Sequence, residues 1–383
     1  MNGRCIVCGE KLYAEPSYTC HNMPQRVQNL PTARDLPADS GVDLGLFQCS
    51  GCGLLQLDCA PLEYYRDSMR AGERSAGLTK LRQRQYKHFI ETYNLQGKKI
   101  IEIGAGKGGF LRTLKDMEEY GIAEYGLENN EEYVRIAREQ EQVNVIKGFC
   151  DHEEYEIEGG PFDAFTCFSY PARLTDPNTM LRAVSNNLKS GGLGYISCIS
   201  QEHILKSDGL YEITRDLYAY YSVSTIRFLA QRNGFEVLEA FEDDPYVDAI
   251  VRKRSPLDLK TIWGNIDSMN QEVYDFADQE IRDGRKIAVW CAGHYAFTVI
   301  SVAGIGDKIS YIVDNAPFKQ GHYAPASHVP IVAPTYFKEH PVDTFLILGM
   351  LYAEEIVNEI KEKCSREVKI ALMNENGVFW AEE

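Results

Sequence analysis

The spacing of apolar and polar positions divides the chain into three zones. Between residues 75 and 253, short apolar runs alternate with stretches whose apolar positions recur every three or four residues. Runs of the first kind predict buried strands, and stretches of the second kind predict helices laid on them. Lys99–Ile103, Glu124–Glu128, Val143–Lys147, Phe162–Phe168 and Leu193–Ile199 are the predicted strands, with Phe235–Phe241 and Val247–Arg252 closing the sheet. Gly109–Glu119, Asn130–Gln140, Pro177–Leu188 and Ser224–Gln231 are the predicted helices. Asp176 before Pro177 is a helix-start signal, and Asn233-Gly234 is a stop signal. Residues 256 to 383 open with a long polar helical stretch and repeat the alternation, with strands at Arg285–Trp290 and Ile309–Val313. Strands alternating with helices predict parallel βαβ units, hence two doubly wound sheets. The expected division is a cysteine-rich segment over 1–70, an α/β domain over 71–254 and a second over 255–383.

Composition narrows the class. The 383 residues are 44% hydrophobic and 25% charged, ordinary for a globular protein. Lys and Arg total 40 against 56 Asp and Glu, a net charge of −16. Such a surface repels phosphate backbones and anionic lipid, which argues against nucleic acid and membrane as partners. No run of eighteen apolar residues is present. The opening MNGRCIVCGE lacks the apolar core of a secretory signal, so a cytoplasmic location is expected. The eleven cysteines then read as thiols or metal ligands.

Four of them form a pattern. Cys5-x2-Cys8 and Cys49-x2-Cys52 are two knuckles, each followed by glycine. Zn²⁺ takes four thiolates at about 2.3 Å, and paired CxxC turns supply them. The long loop between the knuckles costs little, because closure entropy grows only with the logarithm of length. Four thiolates leave no open position, so the expected zinc is structural. Cys20, His21 and Cys59 stand nearby as weaker alternative ligands.

The strongest signal is Glu102-Ile103-Gly104-Ala105-Gly106-Lys107-Gly108-Gly109-Phe110, between a predicted strand and a predicted helix. Glycines there let a ligand approach the backbone. A dinucleotide would fit a bare glycine turn. Glu102 points elsewhere: a carboxylate there repels a pyrophosphate and accepts from a cationic amino-acid group. Glu128 closes the next strand, placed for ribose hydroxyls, and Asp151 follows the third, placed for an adenine amino group. This succession suits S-adenosylmethionine (SAM). An NAD-dependent oxidoreductase is the competing enzyme reading.

The segment IEIGAGKGGFL with YGLENN and FCDHEE resembles class I SAM-dependent methyltransferases. The whole chain resembles, more narrowly, the zinc-containing methyltransferases typified by deoxysugar C-methyltransferases. Cys49–Leu57 resembles that family's second knuckle; Val313–Gly321 with Ser327–Ile331 resembles its C-terminal signature. The resemblance implies a zinc domain, a Rossmann-like SAM domain and a second Rossmann-like domain. It also implies a small-molecule substrate, such as a nucleotide-linked sugar. Gly104, Ala105, Gly106, Gly109, Phe110, Asn129, Cys150 and Phe168 join Glu102, Glu128 and Asp151 as candidate cofactor contacts.

The departures bear on the chemistry. The family carries a Glu-His pair after the fourth strand, where this chain has Ala172-Arg173. A second acid-His pair is matched by Asp216-Leu217. Without either imidazole, transfer to oxygen or nitrogen fits better than transfer to carbon, whose proton must be removed. A SAM-fold protein that has lost catalysis is the alternative. The remaining candidate catalytic groups are the phenols Tyr170, Tyr218, Tyr220 and Tyr221, with Arg173 facing an anionic substrate. Tyr64 and Tyr65 are candidate lid residues, and His294 and Lys319 candidate substrate contacts in the last zone.

Overall fold

The computed structural model describes residues 3–28, 30–64, 66, 75–206, 209–348, 352–364, 367–374 and 377–381. The chain divides into two compact units, Met1–Pro256 and Leu257–Glu383. The first begins with three short strands, β1 (Tyr18–Pro24), β2 (Gly41–Gln48) and β3 (Leu55–Leu57). Then follow α1 (Ala76–Tyr93), β4 (Lys99–Ile103), α2 (Gly109–Lys115), β5 (Ala123–Glu128), α3 (Glu131–Glu139), β6 (Val145–Lys147) and β7 (Phe162–Phe168). The unit ends with α4 (Pro177–Asn186), β8 (Leu188–Ile199), α5 (Gln201–Ile204), β9 (Ala219–Tyr220), α6 (Val223–Arg232), β10 (Phe235–Asp243) and β11 (Tyr246–Lys253).

Seven strands form the central sheet in the order β10-β11-β8-β7-β4-β5-β6. The strands β6 to β8 run parallel, while β10 and β11 are antiparallel. The strand order reverses between β4 and β7, so their carboxyl ends border a crevice, the place where such sheets bind ligands. Local chemistry sets the helix limits. Asp176 accepts from the N–H groups of Asn178 and Thr179 and caps α4. Ser222 and Thr225 form a capping box on α6, which stops before Gly234 at φ +87°.

The predicted strands Lys99–Ile103 and Phe162–Phe168 match β4 and β7. The helix expected over Gly109–Glu119 is shorter, because the chain tightens into a 3-10 turn at Glu118–Tyr120 that buries Tyr120. Strand β8 starts before Leu193, its early part shifting register against β7 around Gly191 at φ +69°. The first three strands, of seven, eight and three residues, are not among the predicted ones. They form an antiparallel sheet in the order β1-β2-β3-β9, so the cysteine-rich segment borrows its last strand from residues 219–220. Leu54 and Leu57 share one buried cluster with Ile199, Leu217 and Tyr220. That shared core makes residues 1–256 a single unit.

The second unit holds α7 (Lys260–Arg282), β12 (Ile287–Trp290), α8 (His294–Val302), β13 (Ile309–Val313), β14 (Ile331–Val332), β15 (Thr344–Leu348), α9 (Ala353–Lys363), β16 (Lys369–Asn374) and β17 (Gly377–Trp380). Its sheet order is β14-β13-β12-β15-β16-β17. Val273 and Ala277 of α7 pack with Ala296 and Ile300 of α8 in one cluster, and Ile360 of α9 joins Trp290 and Phe345 in another. No helix among the described residues is long and apolar enough to cross a membrane.

The crowding of the central sheet generates a prediction. A Cβ at Gly194 in β8 would stand 2.0 Å from the Phe165 ring of β7. Gly194→Ala is expected to cost about 1–3 kcal/mol by overpacking. Phe165→Leu in the same chain should recover part of that loss, read as thermal midpoints of the two single variants and the double.

Candidate functional site

The glycine turn hangs on the end of β5. The N–H groups of Gly104 and Ala105 both donate to the Leu127 carbonyl at 3.0 Å. Gly104, Gly106 and Gly108 have φ of +75°, +56° and +83°, values that side-chain-bearing residues rarely adopt. Glu128 holds the turn from the other side. One carboxylate oxygen accepts from the Gly106 N–H at 2.9 Å, the other from the Asn130 N–H at 2.8 Å. Ala105 packs beneath with Leu111, Val134 and Ala137. Glu102, at the end of β4, is 2% exposed.

A second loop leaves β7 beside the turn. Ser169 takes φ +58°, and its N–H donates to the Ser197 carbonyl at 2.6 Å. This bend lays the Tyr170 ring on the turn: a Cβ at Gly104 would stand 2.5 Å from Tyr170 Cδ2. Arg173 follows in a 3-10 turn, where it is buried and its Nη1 donates to Asp216 Oδ2 at 3.0 Å. Arg173 is thus not solvent-facing, because its charge is paired with Asp216 inside the protein. The Tyr218 N–H donates to the Ala172 carbonyl at 2.7 Å, tying the 214–222 stretch to this loop.

The three neighbouring phenols lie inside the protein. Tyr218, Tyr220 and Tyr221 are fully buried. The Tyr218 hydroxyl accepts from the Leu62 N–H at 3.1 Å and that of Tyr220 from the Thr214 N–H at 3.3 Å. Burial pushes the Tyr218 phenol up to about 12 and raises those of Tyr220 and Tyr221 further. None of the three is suited to take a proton near neutral pH.

Sequence reasoning missed Arg82. It sits on the buried face of α1, in step with Gln85, Tyr86, Phe89 and Ile90. A charged residue in the apolar register of a helix was the signal available. Its guanidinium carbon lies 3.9 Å from the ring centre of Phe168 and 4.6 Å from that of Phe110, two candidate cofactor contacts. Arg82 Nη1 donates to Gln85 Oε1; Gln85 Nε2 and the Tyr195 hydroxyl donate to Asp248 Oδ2 at 2.8 and 2.6 Å. Burial raises the Asp248 pKa. Arg82 Nε is buried without a hydrogen-bond partner among the described residues.

The remaining candidates are more dispersed. Asp151 is exposed and pairs with His152 at 2.7 Å. Cys150 is buried, its thiol pushed up to about 12 by that burial. Asn129 is half-buried, two residues before the start of α3. The Tyr64 hydroxyl accepts from the Val27 N–H at 3.3 Å, and Tyr65 lies outside the described residues. In the second unit Lys319 Nζ donates to Asp314 Oδ2 and the Ala292 carbonyl at 2.9 and 2.8 Å. His294 opens α8 and is exposed.

The four knuckle cysteines converge, their sulfurs all within 4.8 Å of one another. Cys5 and Cys52 sulfurs are 3.6 Å apart, those of Cys8 and Cys49 3.3 Å. N–H groups of Val7 and Cys8 donate to Cys5 Sγ, and those of Gly51 and Cys52 to Cys49 Sγ. This is the chemistry of a tetrahedral thiolate site. Cys20 and Cys59 do not belong to the cluster, and His21 Nδ1 is bonded to Asp43.

Two family models match the chain: a methyltransferase domain over residues 78–240 and a C-methyltransferase C-terminal domain over residues 258–373. The C-methyltransferase NovU of Streptomyces niveus is 22% identical over 298 residues, spanning 70% of each chain. The chain is a class I SAM-dependent methyltransferase that resembles the C-methyltransferase family. A ubiquinone biosynthesis O-methyltransferase of Coxiella burnetii is 26% identical over 30% of this methyltransferase and 49% of its own length. The structure of a SAM-dependent methyltransferase from Aquifex aeolicus covers 46% of the chain and 93% of its own, at 17% identity and a TM-score of 0.38. The matched methyltransferase domain takes in Arg82, the glycine turn, Arg173 and Asp216.

The Arg173–Asp216 pair of this methyltransferase generates a prediction. Removing one member of a buried pair strands the other charge, at about 3–5 kcal/mol. Asp216→Ala should lower stability by that order in urea unfolding, and Arg173→Met with Asp216→Leu should regain most of it.

Proposed function

We propose that the chain moves the methyl group of SAM to an oxygen or nitrogen of a small metabolite, namely a nucleotide-linked or otherwise activated sugar. SAM supplies a methyl group already activated on a sulfonium. Alignment alone can then supply about 7–11 kcal/mol of the barrier, without a strong base.

The residues fit that cofactor. The turn from Gly104 to Gly109 has four glycines and Ala105, with Lys107 its one large side chain, so most of it presents bare backbone. Glu102 would take the ammonium of the methionine moiety, and Arg82 Nε is buried without a hydrogen-bond partner among the described residues. Glu128 would take the ribose, Asp151 the adenine amino group, and Phe110 with Phe168 would wall the nucleoside. Tyr170, already against Gly104, would exclude water from the reacting groups.

The observation that carries the choice of acceptor atom is the Arg173–Asp216 pair, with Leu217 beside it. Guanidinium does not lose its proton in a protein, so Arg173 cannot act as base. The Tyr218 and Tyr220 hydroxyls accept from backbone N–H groups, and burial raises all three phenols. Carbon methylation next to a carbonyl needs a base, whereas a lone pair on oxygen or nitrogen does not.

The cysteine cluster is read as a structural zinc site. Zn–S bonds of about 2.3 Å place sulfurs about 3.8 Å apart in a tetrahedron, near the separations found here.

The test uses isotopically labelled SAM with a panel of nucleotide-linked sugars. Label should pass to oxygen or nitrogen, and the acceptor should take up no solvent deuterium at carbon. Deuterium uptake with label on carbon would overturn the choice of atom. Glu102→Gln should weaken S-adenosylhomocysteine binding about 10–100-fold by calorimetry, the value of one charge-assisted contact. Unchanged binding would remove Glu102 from the site.

A further inference from the structure

The first knuckle is gripped by two side-chain amides that no cysteine pattern would suggest. Ile6 and Val7 lie between Cys5 and Cys8. Asn178 Nδ2 donates to the carbonyls of Ile6 and Val7, at 3.1 and 3.0 Å. The Ile6 N–H donates to Gln56 Oε1 at 3.0 Å, and Gln56 Nε2 donates to the Arg4 carbonyl at 3.2 Å. Gln56 is fully buried. The turn that presents two thiols is thereby bound on both sides.

Each grip leads to a different stretch of the first unit. Asn178 is the second residue of α4, directly after the loop that carries Tyr170 and Arg173. Its Oδ1 accepts from Asn233 Nδ2 at 2.9 Å, at the end of α6. Gln56 lies on β3, opposite Ala219 of β9. The Leu57 N–H donates to the Tyr218 carbonyl at 2.9 Å, two residues from Asp216. So the loop of Arg173 and the stretch of Asp216 both end on the same four-residue turn. The glycine turn takes its hydrogen bonds elsewhere, from Leu127 and Glu128, and meets the loop through packing of the Tyr170 ring on Gly104.

We propose that Asn178 and Gln56 are positioning residues through which the metal-ordered knuckle sets the two acceptor-side loops, 169–176 and 214–222, while the SAM side stands independently. The inference rests on the zinc reading. Metal–thiolate bonds fix the Cys5–Cys8 turn, and the turn fixes where its carbonyls meet the Asn178 amide. A loosened turn leaves that amide with half-buried donors and no acceptors, which loosens the start of α4. The pair of amides thus joins a structural metal to substrate geometry without either touching metal or substrate.

The test is hydrogen exchange on the full zinc-loaded chain, with zinc content and S-adenosylhomocysteine affinity measured on the same samples. Asn178→Asp keeps the size and removes the donors. It should raise exchange in peptides covering 169–176 and 214–222 by about tenfold or more, with zinc retained and affinity within twofold. Stripping zinc from the unaltered chain with a chelator should reproduce the pattern, which keeps the test intact if the variant fails to fold. Faster exchange confined to residues 3–57 would overturn the proposal. So would exchange rising throughout the unit with affinity falling in step. A purified chain holding no zinc would instead sink the zinc reading, a separate outcome read from metal content alone.

Discussion

The support of one backbone turn by one strand end governs the rest of the first unit. Two N–H groups share the Leu127 carbonyl, and Glu128 ties the next glycine to the start of α3. Neither contact involves a side chain that varies in length or rotamer at the turn itself. The turn needs three positive φ angles, so its shape is dictated before any ligand arrives. The neighbouring Tyr170 lies where it does because Gly104 offers no Cβ.

Two buried arginines show how differently a cation can be kept inside this unit. Arg173 has a carboxylate partner at 3.0 Å, which offsets the loss of water. Arg82 has aromatic faces and an amide, with Asp248 one hydrogen bond further along. Burial lowers its pKa, and Asp248 and Glu102 act in the opposite sense. The first arrangement braces two loops against each other. The second leaves a buried donor nitrogen with no hydrogen-bond partner among the described residues.

Local signals were readable where the chemistry is local. Lys99–Ile103, Phe162–Phe168 and Ile309–Val313 stand as expected because an apolar run with punctuation at its ends has one good outcome. The cysteine quartet was readable because its spacing alone implies tetrahedral chemistry. Arg82, Asp216, Gln56 and Asn178 were not, since each acquires its role from a partner far away in the chain. The burial of Tyr218, Tyr220 and Tyr221 was hidden for the same reason: a phenol that accepts from a distant backbone N–H, as Tyr218 does, looks in sequence like one open to solvent. The first sheet stayed hidden because its fourth strand is only two residues long and comes from after residue 218.

That borrowed strand imposes an order of events during synthesis. Residues 55–57 wait for an edge partner until residues 219–220 have left the ribosome. Through that interval the segment that carries the thiols at 5, 8, 49 and 52 lacks the fourth strand of its sheet. Completion of the amino-terminal sheet is therefore a late step in biogenesis, even though its first three strands are the earliest made.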